Sequence, residues 1–536
     1  MGHILFWLEA TITSVLLVAL VVSLLARTVD RLWRRRLAIG ILVLLPLPWI
    51  AAIAIFAFLH LRVGGAGFAL LGSCIGGALF VIGAGTAAGY GLRRSRDDPQ
   101  RRRAAEWRPS RVALAFAAGL LLTCMTFWNL DLAVRQEMAV LRTKAGAMAL
   151  SVAPARIPNS RNAALLYRQA WELLEARQAE GRRWREMVGA WAAPTSRPFD
   201  PDNERMVAFL ERQAPVIRLL REAARRPGCN FGSAYNPPSP ELVLPQLGKM
   251  RALSQLLYLS ACVNASRGRT GEALEDVNAC FALAGHCTAD PVLIASLVAF
   301  AAEKEAFAAL QYVLSRSRPS GEDLERLKLD PFLSFNDTLR RSMRMEEAWG
   351  LSIFTMWDPV AALEGLTGRR GFRLGPAVYR VFLWLEDVRA YRRWMQKYHQ
   401  LSARPYYQSR DGWERMSGGQ RDRLGGLLAS QFTPSLFRCA EHAAEADARH
   451  RLALTAVAMW RYRLRRQSFP DRLDRLVPQY LLAVPMDPFT GKGMKLARKG
   501  DGKVVIYSLG ADLADDGGRP WDRKARKGDI VLVLTQ

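Results

Sequence analysis

The amino-acid sequence predicts a mainly α-helical membrane protein in three parts. These are a four-helix transmembrane domain (1–133), a helical, repeat-like extracytoplasmic body (134–432) and a small α+β domain with a short antiparallel sheet (433–536). Three observations predict it. Apolar runs of spanning length crowd the first quarter, helical periodicity dominates the middle, and turn signals and β-rich runs gather near the end.

A helix crosses the hydrocarbon core with ~20 mostly apolar residues and satisfies its own backbone there. Ile4–Ala26, Leu37–Leu61, Gly67–Tyr90 and Val112–Leu130 meet that length. The break after the first run holds Arg27, Arg31, Arg34, Arg35 and Arg36. The break after the third holds eight arginines from Arg93 to Arg111, while only Arg62 separates the second and third. Basic loops stay cytoplasmic. The expected location is therefore the inner membrane, multi-pass, with the N-terminus and the later domains extracytoplasmic and the bilayer as a partner. Glu9 and His60 lie near the outer ends of their runs; snorkelling accounts for both, so ion-coupled transport is not expected.

Charge is uneven. The first 130 residues hold 14 Arg, no Lys and five acids, a net of +9, and the whole chain carries +26, which leaves +17 to the rest. A basic surface ordinarily suggests nucleic acid, but an extracytoplasmic region meets none, so nucleic acid is not an expected partner. Six of the 11 lysines lie in the last 45 residues, a shift that marks a region of separate character. Cys229, Cys262, Cys280, Cys287 and Cys439 fall outside the apolar runs; the odd number permits two disulfides at most, and buried thiols are the plainer reading.

In the middle, apolar spacing at i, i+3 and i+4 predicts helices from Asn162, over Pro201–Arg225, and as a pair over Leu244–Ser266 and Thr270–Gly285. The pair resembles one tetratricopeptide repeat, with Ala261, Ala273 and Cys280 where two helices would cross closely. Pro291–Ser315 supplies a third helix to stack on it, since one such unit cannot bury its own face. Pro376–Leu401 reads as a long helix with Pro at its first position. Ser417-Gly-Gly-Gln420 has the look of a nucleotide-binding signature loop, but the chain lacks the phosphate-cradling G-x-x-x-x-G-K-[ST] that such a loop works against.

The last hundred residues run from a long helix, Phe437–Gln467, to Asp487-Pro-Phe-Thr-Gly491. A hairpin follows about Gly500-Asp-Gly502, then Tyr507-Ser-Leu-Gly-Ala-Asp512, Asp515-Asp-Gly-Gly518 and Asp529-Ile530. In that order these motifs resemble the C-terminal domain of type II secretion major pseudopilins, over roughly the last 70 to 100 residues. The resemblance implies a small α+β fold and a calcium-binding loop. It assigns Asp512 and Asp529 as side-chain ligands, Leu509 as a carbonyl ligand, and Asp515 or Asp516 as a further one. Calcium takes six to eight oxygens from carboxylates and carbonyls; an acidic turn, which Asp and Gly also favour, is the alternative. The filament-forming N-terminus of that family is not matched, because Gly2 is followed by His-Ile-Leu-Phe-Trp-Leu-Glu9.

The expected function is a membrane-anchored binding or scaffold module of the envelope, tied to secretion or envelope assembly, with a protein partner. The alternative is a membrane-bound enzyme using Glu346, Glu347, His286, His442 and His450. Cys439 with His442 and His450, or Cys287 beside His286, falls short of the three or four ligands a zinc site needs.

Overall fold

The computed structural model describes residues 109–176, 184–192, 199–238, 244–329, 334–356, 379, 383–417, 429, 436–500 and 502–535 other than 523, 524 and 526, with side chains from residue 131 onward except at 436 and 437. These residues are mainly helical and carry one small antiparallel sheet. The helices are α1 (Pro109–Val152), α2 (Ala163–Ala176), α3 (Trp184–Ala192), α4 (Glu204–Arg212) and α5 (Ala214–Ala224). They continue as α6 (Pro245–Ser266), α7 (Thr270–Cys287), α8 (Leu293–Arg316), α9 (Gly321–Glu325) and α10 (Phe335–Phe354). The last three are α11 (Trp384–Ser402), α12 (Tyr406–Ser417) and α13 (Leu436–Arg466).

The transmembrane part of the expected fold class, and the multi-pass inner-membrane location with it, is overturned. Among the described residues no helix is long and apolar enough to cross a membrane. The first three proposed spans lie outside the described residues. The fourth falls in α1, which runs on unbroken through Asp131, Arg135, Glu137, Arg142 and Lys144. The apolar run is thus one part of a longer helix, whose remainder is too charged for hydrocarbon.

The chain divides into two compact units, 1–140 with 356–391 and 425–429, and the remainder. In the first unit Asp387 is buried; its carboxylate accepts from Tyr379 Oη at 2.7 Å and from the Ala429 amide at 3.0 Å.

The second unit is built on three mutually packed helices, α6, α7 and α8. Ala261, Ala273 and Cys280 are fully buried there, small enough for close helix approach. Local chemistry sets the helix starts. Asn203 accepts from the Met206 amide at 3.0 Å ahead of α4, Ser320 and Asp323 form a reciprocal capping box on α9, and Ser334 caps α10 by accepting from the Asp337 amide at 3.1 Å. Proline opens α6, where its missing N–H costs nothing.

α13 carries the core onward to the sheet. It packs on α8, α10 and α12 and on two strands, so one hydrophobic cluster runs from Ala163 in α2 to Leu534. The strands β1 (Lys495–Arg498), β2 (Lys503–Ser508) and β3 (Ile530–Thr535) pair antiparallel in the order β1-β2-β3, with Ile506 opposite Leu532 and Val505 opposite Val533. Side chains alternate between faces along a strand. Val504, Ile506, Leu532 and Leu534 join the large core, while Val505, Tyr507 and Val531 form a second cluster on the other face. The segment after β2 crosses that second face. Gly518, with φ at +77°, lies so close that a Cβ would meet Val505 Cγ1 at 2.9 Å.

Candidate functional site

The residues that the pseudopilin resemblance singles out lie in the 509–529 segment, between β2 and β3. Its frame is a narrow turn: Asp529 N donates to Arg519 O at 2.7 Å, Trp521 N to Asp529 O at 3.1 Å, and Asp522 N to Lys527 O at 2.8 Å. Gly528 closes the neck with φ at +121°, where a Cβ would stand 2.6 Å from the Pro520 carbonyl oxygen. Only glycine fits there.

Within that frame the five residues part company. Asp529 is 1 % exposed; its Oδ2 accepts from the Gly518 amide at 2.7 Å, and its buried Oδ1 has no hydrogen-bond donor. Asp516 is half-buried, and its Oδ2 is likewise buried without a donor. Burial, and then the nearby Asp515 and Asp516 charges, hold the Asp529 carboxyl above the usual carboxylate range. Asp512 is turned to local work, with Oδ1 accepting from the Ala514 amide at 3.1 Å and Oδ2 from the Gly528 amide at 3.3 Å. Asp515 is exposed and bonded, to Lys495 Nζ at 2.5 Å and Tyr507 Oη at 3.1 Å. The Leu509 amide donates to Asp487 Oδ2 at 3.0 Å.

A donor-less buried carboxylate oxygen is costly, and this loop holds two of them, on Asp529 and Asp516. Among the described residues no three His, Cys, Asp or Glu side chains are gathered to hold a metal ion. A calcium ion here would thus take Asp529 and Asp516 by side chain and fill its shell with carbonyl oxygens and water.

One residue that matters was visible in the motif but not in its role. Asp487 of Asp-Pro-Phe-Thr-Gly is buried, and its Oδ1 accepts from Ser508 Oγ at 2.8 Å and the Phe489 amide at 2.9 Å. With the Leu509 bond, its carboxylate ties this turn to the end of β2 and the start of the acidic loop. The signal was a paired one: an Asp-Pro turn, and a Ser-Leu pair whose donors needed an acceptor.

The residues of the enzymatic alternative are dispersed among separate structural bonds. His286 Nδ1 accepts from Tyr167 Oη at 2.8 Å, and its Nε2–H donates to Arg226 O at 3.0 Å. His399 Nε2 meets Glu347 Oε2 at 2.8 Å, and His450 Nδ1 meets Glu303 Oε1 at 3.0 Å. Glu346 Oε1 accepts from the Leu293 amide at 3.1 Å, which caps α8, and burial pushes its carboxyl up to about 7. His442 is largely exposed, 3.7 Å from Glu445. Cys439 is buried and its thiol is pushed up to about 12 by burial. Cys229, Cys262, Cys280, Cys287 and Cys439 are all buried. The Gly-Gly-Gln of the signature-like loop, 418–420, lies outside the described residues.

His286 yields a pH dependence. Burial lowers it to about 4 from a normal value near 6.5, so the folded protein holds the neutral ring. Its contribution is full above pH 6.5 and is lost as pH falls toward 4, about 3 kcal/mol in all. The unfolding free energy of the parent, measured from pH 7 to 4, is expected to fall more steeply than that of His286→Gln. Parallel curves would contradict the assignment.

The fold and the loop together define a mainly helical protein whose small sheet carries a carboxylate-bearing loop. No protein-family model, curated protein or solved structure matches the chain.

Proposed function

We propose that this protein is a binding module whose C-terminal loop is ordered by calcium and then presented to a protein partner. The observation that carries the reading is the Asp529 carboxylate, 1 % exposed with one oxygen lacking a donor, near an equally donor-less Asp516 oxygen. Asp529 and Asp516 would be the side-chain ligands, and the Leu509 carbonyl is the further ligand that the pseudopilin resemblance suggests. Bound calcium would supply positive charge to a pair of carboxylates that otherwise repel, and would hold the loop against Val505 and Tyr507. The loop also exposes two large apolar side chains, Leu513 and Trp521, of the kind that protein interfaces bury. Binding is favoured over catalysis because Glu346, Glu347, His286, His442 and His450 each serve a different part of the helical frame.

The test is thermal unfolding of the chelator-treated full chain with and without calcium. A ligand at 100 times its dissociation constant stabilises by about 2.7 kcal/mol, so calcium is expected to raise the midpoint, and Asp529→Asn to abolish the rise. Protons compete for the same carboxylate, so the response should weaken as pH falls. A parent protein indifferent to millimolar calcium, or an Asp529→Asn variant that responds in full, would overturn the reading.

A further inference from the structure

Beside the carboxyl end of α1, the second unit contains a cavity of about 550 Å³. That volume is within the roughly 300–1,000 Å³ of small-molecule sites. Val152, Ile157, Pro227 and Ala289 form its apolar wall, and α10 lines it with Arg340, Arg341 and Arg344.

The wall is fixed before any ligand arrives. Asn162 Oδ1 accepts from the Asn230 amide at 2.9 Å and its Nδ2 donates to Asn230 O at 2.9 Å, while Asn230 Nδ2 donates to Ala155 O at 2.8 Å. Those bonds pin the strap after α1 to the 227–230 segment. His286, wedged between Tyr167 and Arg226 O, holds the end of α7. Arg341 joins the remaining sides, donating to Val152 O at 2.9 and 2.7 Å, to Thr288 O at 3.2 Å and to Ala289 O at 2.9 Å. A pre-ordered wall spares a ligand the entropy of ordering it.

Arg341 is consumed by those carbonyls, but its two neighbours are not. Arg340 makes one 3.0 Å ion pair to Asp337, and Arg344 is exposed, with no hydrogen bond or ion pair among the described residues. Arg340 and Arg344 are four apart on α10, so they share a helix face. Among the described residues Asp337 is the one acid lining the cavity, and His286 is neutral at physiological pH. The balance is positive at one side and apolar at the other.

We propose that this cavity binds a small carboxylate with a hydrocarbon body. The carboxylate would take the guanidinium groups of Arg344 and Arg340, whose planar donors match it. The hydrocarbon would lie on Val152, Ile157, Pro227 and Ala289. This site is separate from the calcium loop, and its test does not depend on that reading.

Isothermal titration of the full chain with octanoate, octanol and inorganic phosphate tests it. Octanoate is expected to bind at sub-millimolar concentration, with octanol and phosphate each at least about tenfold weaker, since a charge-assisted bond contributes that much. Arg344→Gln should weaken octanoate by about tenfold or more, and Ala153→Phe, which fills the cavity, should abolish binding; thermal melts would show both variants folded. The proposal falls if octanoate does not bind at millimolar concentration, if octanol or phosphate binds as well as octanoate, or if both variants bind octanoate like the parent.

Discussion

Replacing Asp276 by alanine is expected to destabilise the helical body by about 3–5 kcal/mol, the cost of leaving a charge group without its buried partner. Asp276 is wholly buried in α7 and gathers three helices. Its Oδ1 accepts from Arg221 Nε of α5 at 2.7 Å, and its Oδ2 accepts from Ser260 Oγ at 2.7 Å and Asn264 Nδ2 at 2.9 Å, both of α6. Asn264 Oδ1 then takes Arg269 Nε at 2.9 Å and Nη2 at 2.6 Å. Alanine would take the shared acceptor from Arg221 Nε, Ser260 Oγ and Asn264 Nδ2 at once. Arg221 would keep the Glu272 carbonyl at 3.3 Å and two carboxylates, Glu275 at 3.2 Å and Glu272 at 3.9 Å, both well exposed and therefore weak ion-pair partners. Replacing both partners by apolar residues, as in Arg221→Met with Asp276→Leu, should cost far less than Asp276→Ala alone, because no buried charge is then left over. Urea unfolding followed by far-ultraviolet circular dichroism reads both. A loss below about 1 kcal/mol for Asp276→Ala, the range of a neutral hydrogen bond, would show that the network does not hold the helices together.

Asp487→Ala should release the acidic loop. The carboxylate serves Ser508 Oγ, the Phe489 amide and the Leu509 amide, and hydrogen bonds to a charged group contribute roughly 1.5–3 kcal/mol each, without simple additivity. A local loss of about 3 kcal/mol or more is expected. Because Asp487 fixes the Leu509 amide at the start of the loop, the calcium response should weaken even though Asp529 and Asp516 are intact. Limited proteolysis is the direct measurement: cleavage between residues 509 and 529 should accelerate in Asp487→Ala, while the helices stay protected. Asp487→Asn keeps one acceptor oxygen and should give an intermediate rate. Equal cleavage rates in all three proteins would rule out the pin.

How much of this was legible beforehand depends on the range over which each feature is decided. The helix pair was expected at Leu244–Ser266 and Thr270–Gly285 and is found at Pro245–Ser266 and Thr270–Cys287. The hairpin strands were expected at Met494–Arg498 and Lys503–Tyr507 and are found at Lys495–Arg498 and Lys503–Ser508. Apolar period, proline at a helix start and glycine in a turn act over a few residues, so they can be read in line. The fourth apolar run, Val112–Leu130, shows the limit of the same signal. An apolar run shows that a segment can be buried, not what buries it, and α1 continues into closely spaced charges. Of the loop acids, composition could not tell Asp529 and Asp516, whose oxygens lack donors, from Asp512 and Asp515, which are bonded to their neighbours.

By itself the sequence determined the helical character of the body, the place of its turns and the strands that close the chain, because backbone propensity and side-chain periodicity are local properties. Tertiary structure alone decided which Asp is a pin, which His stays neutral in a core and which Arg is left free at a cavity. Those outcomes depend on partners well beyond the local turn, as Leu509 is 22 residues from Asp487, Arg221 55 from Asp276 and Tyr167 119 from His286, and on burial, which no single residue carries in its own chemistry.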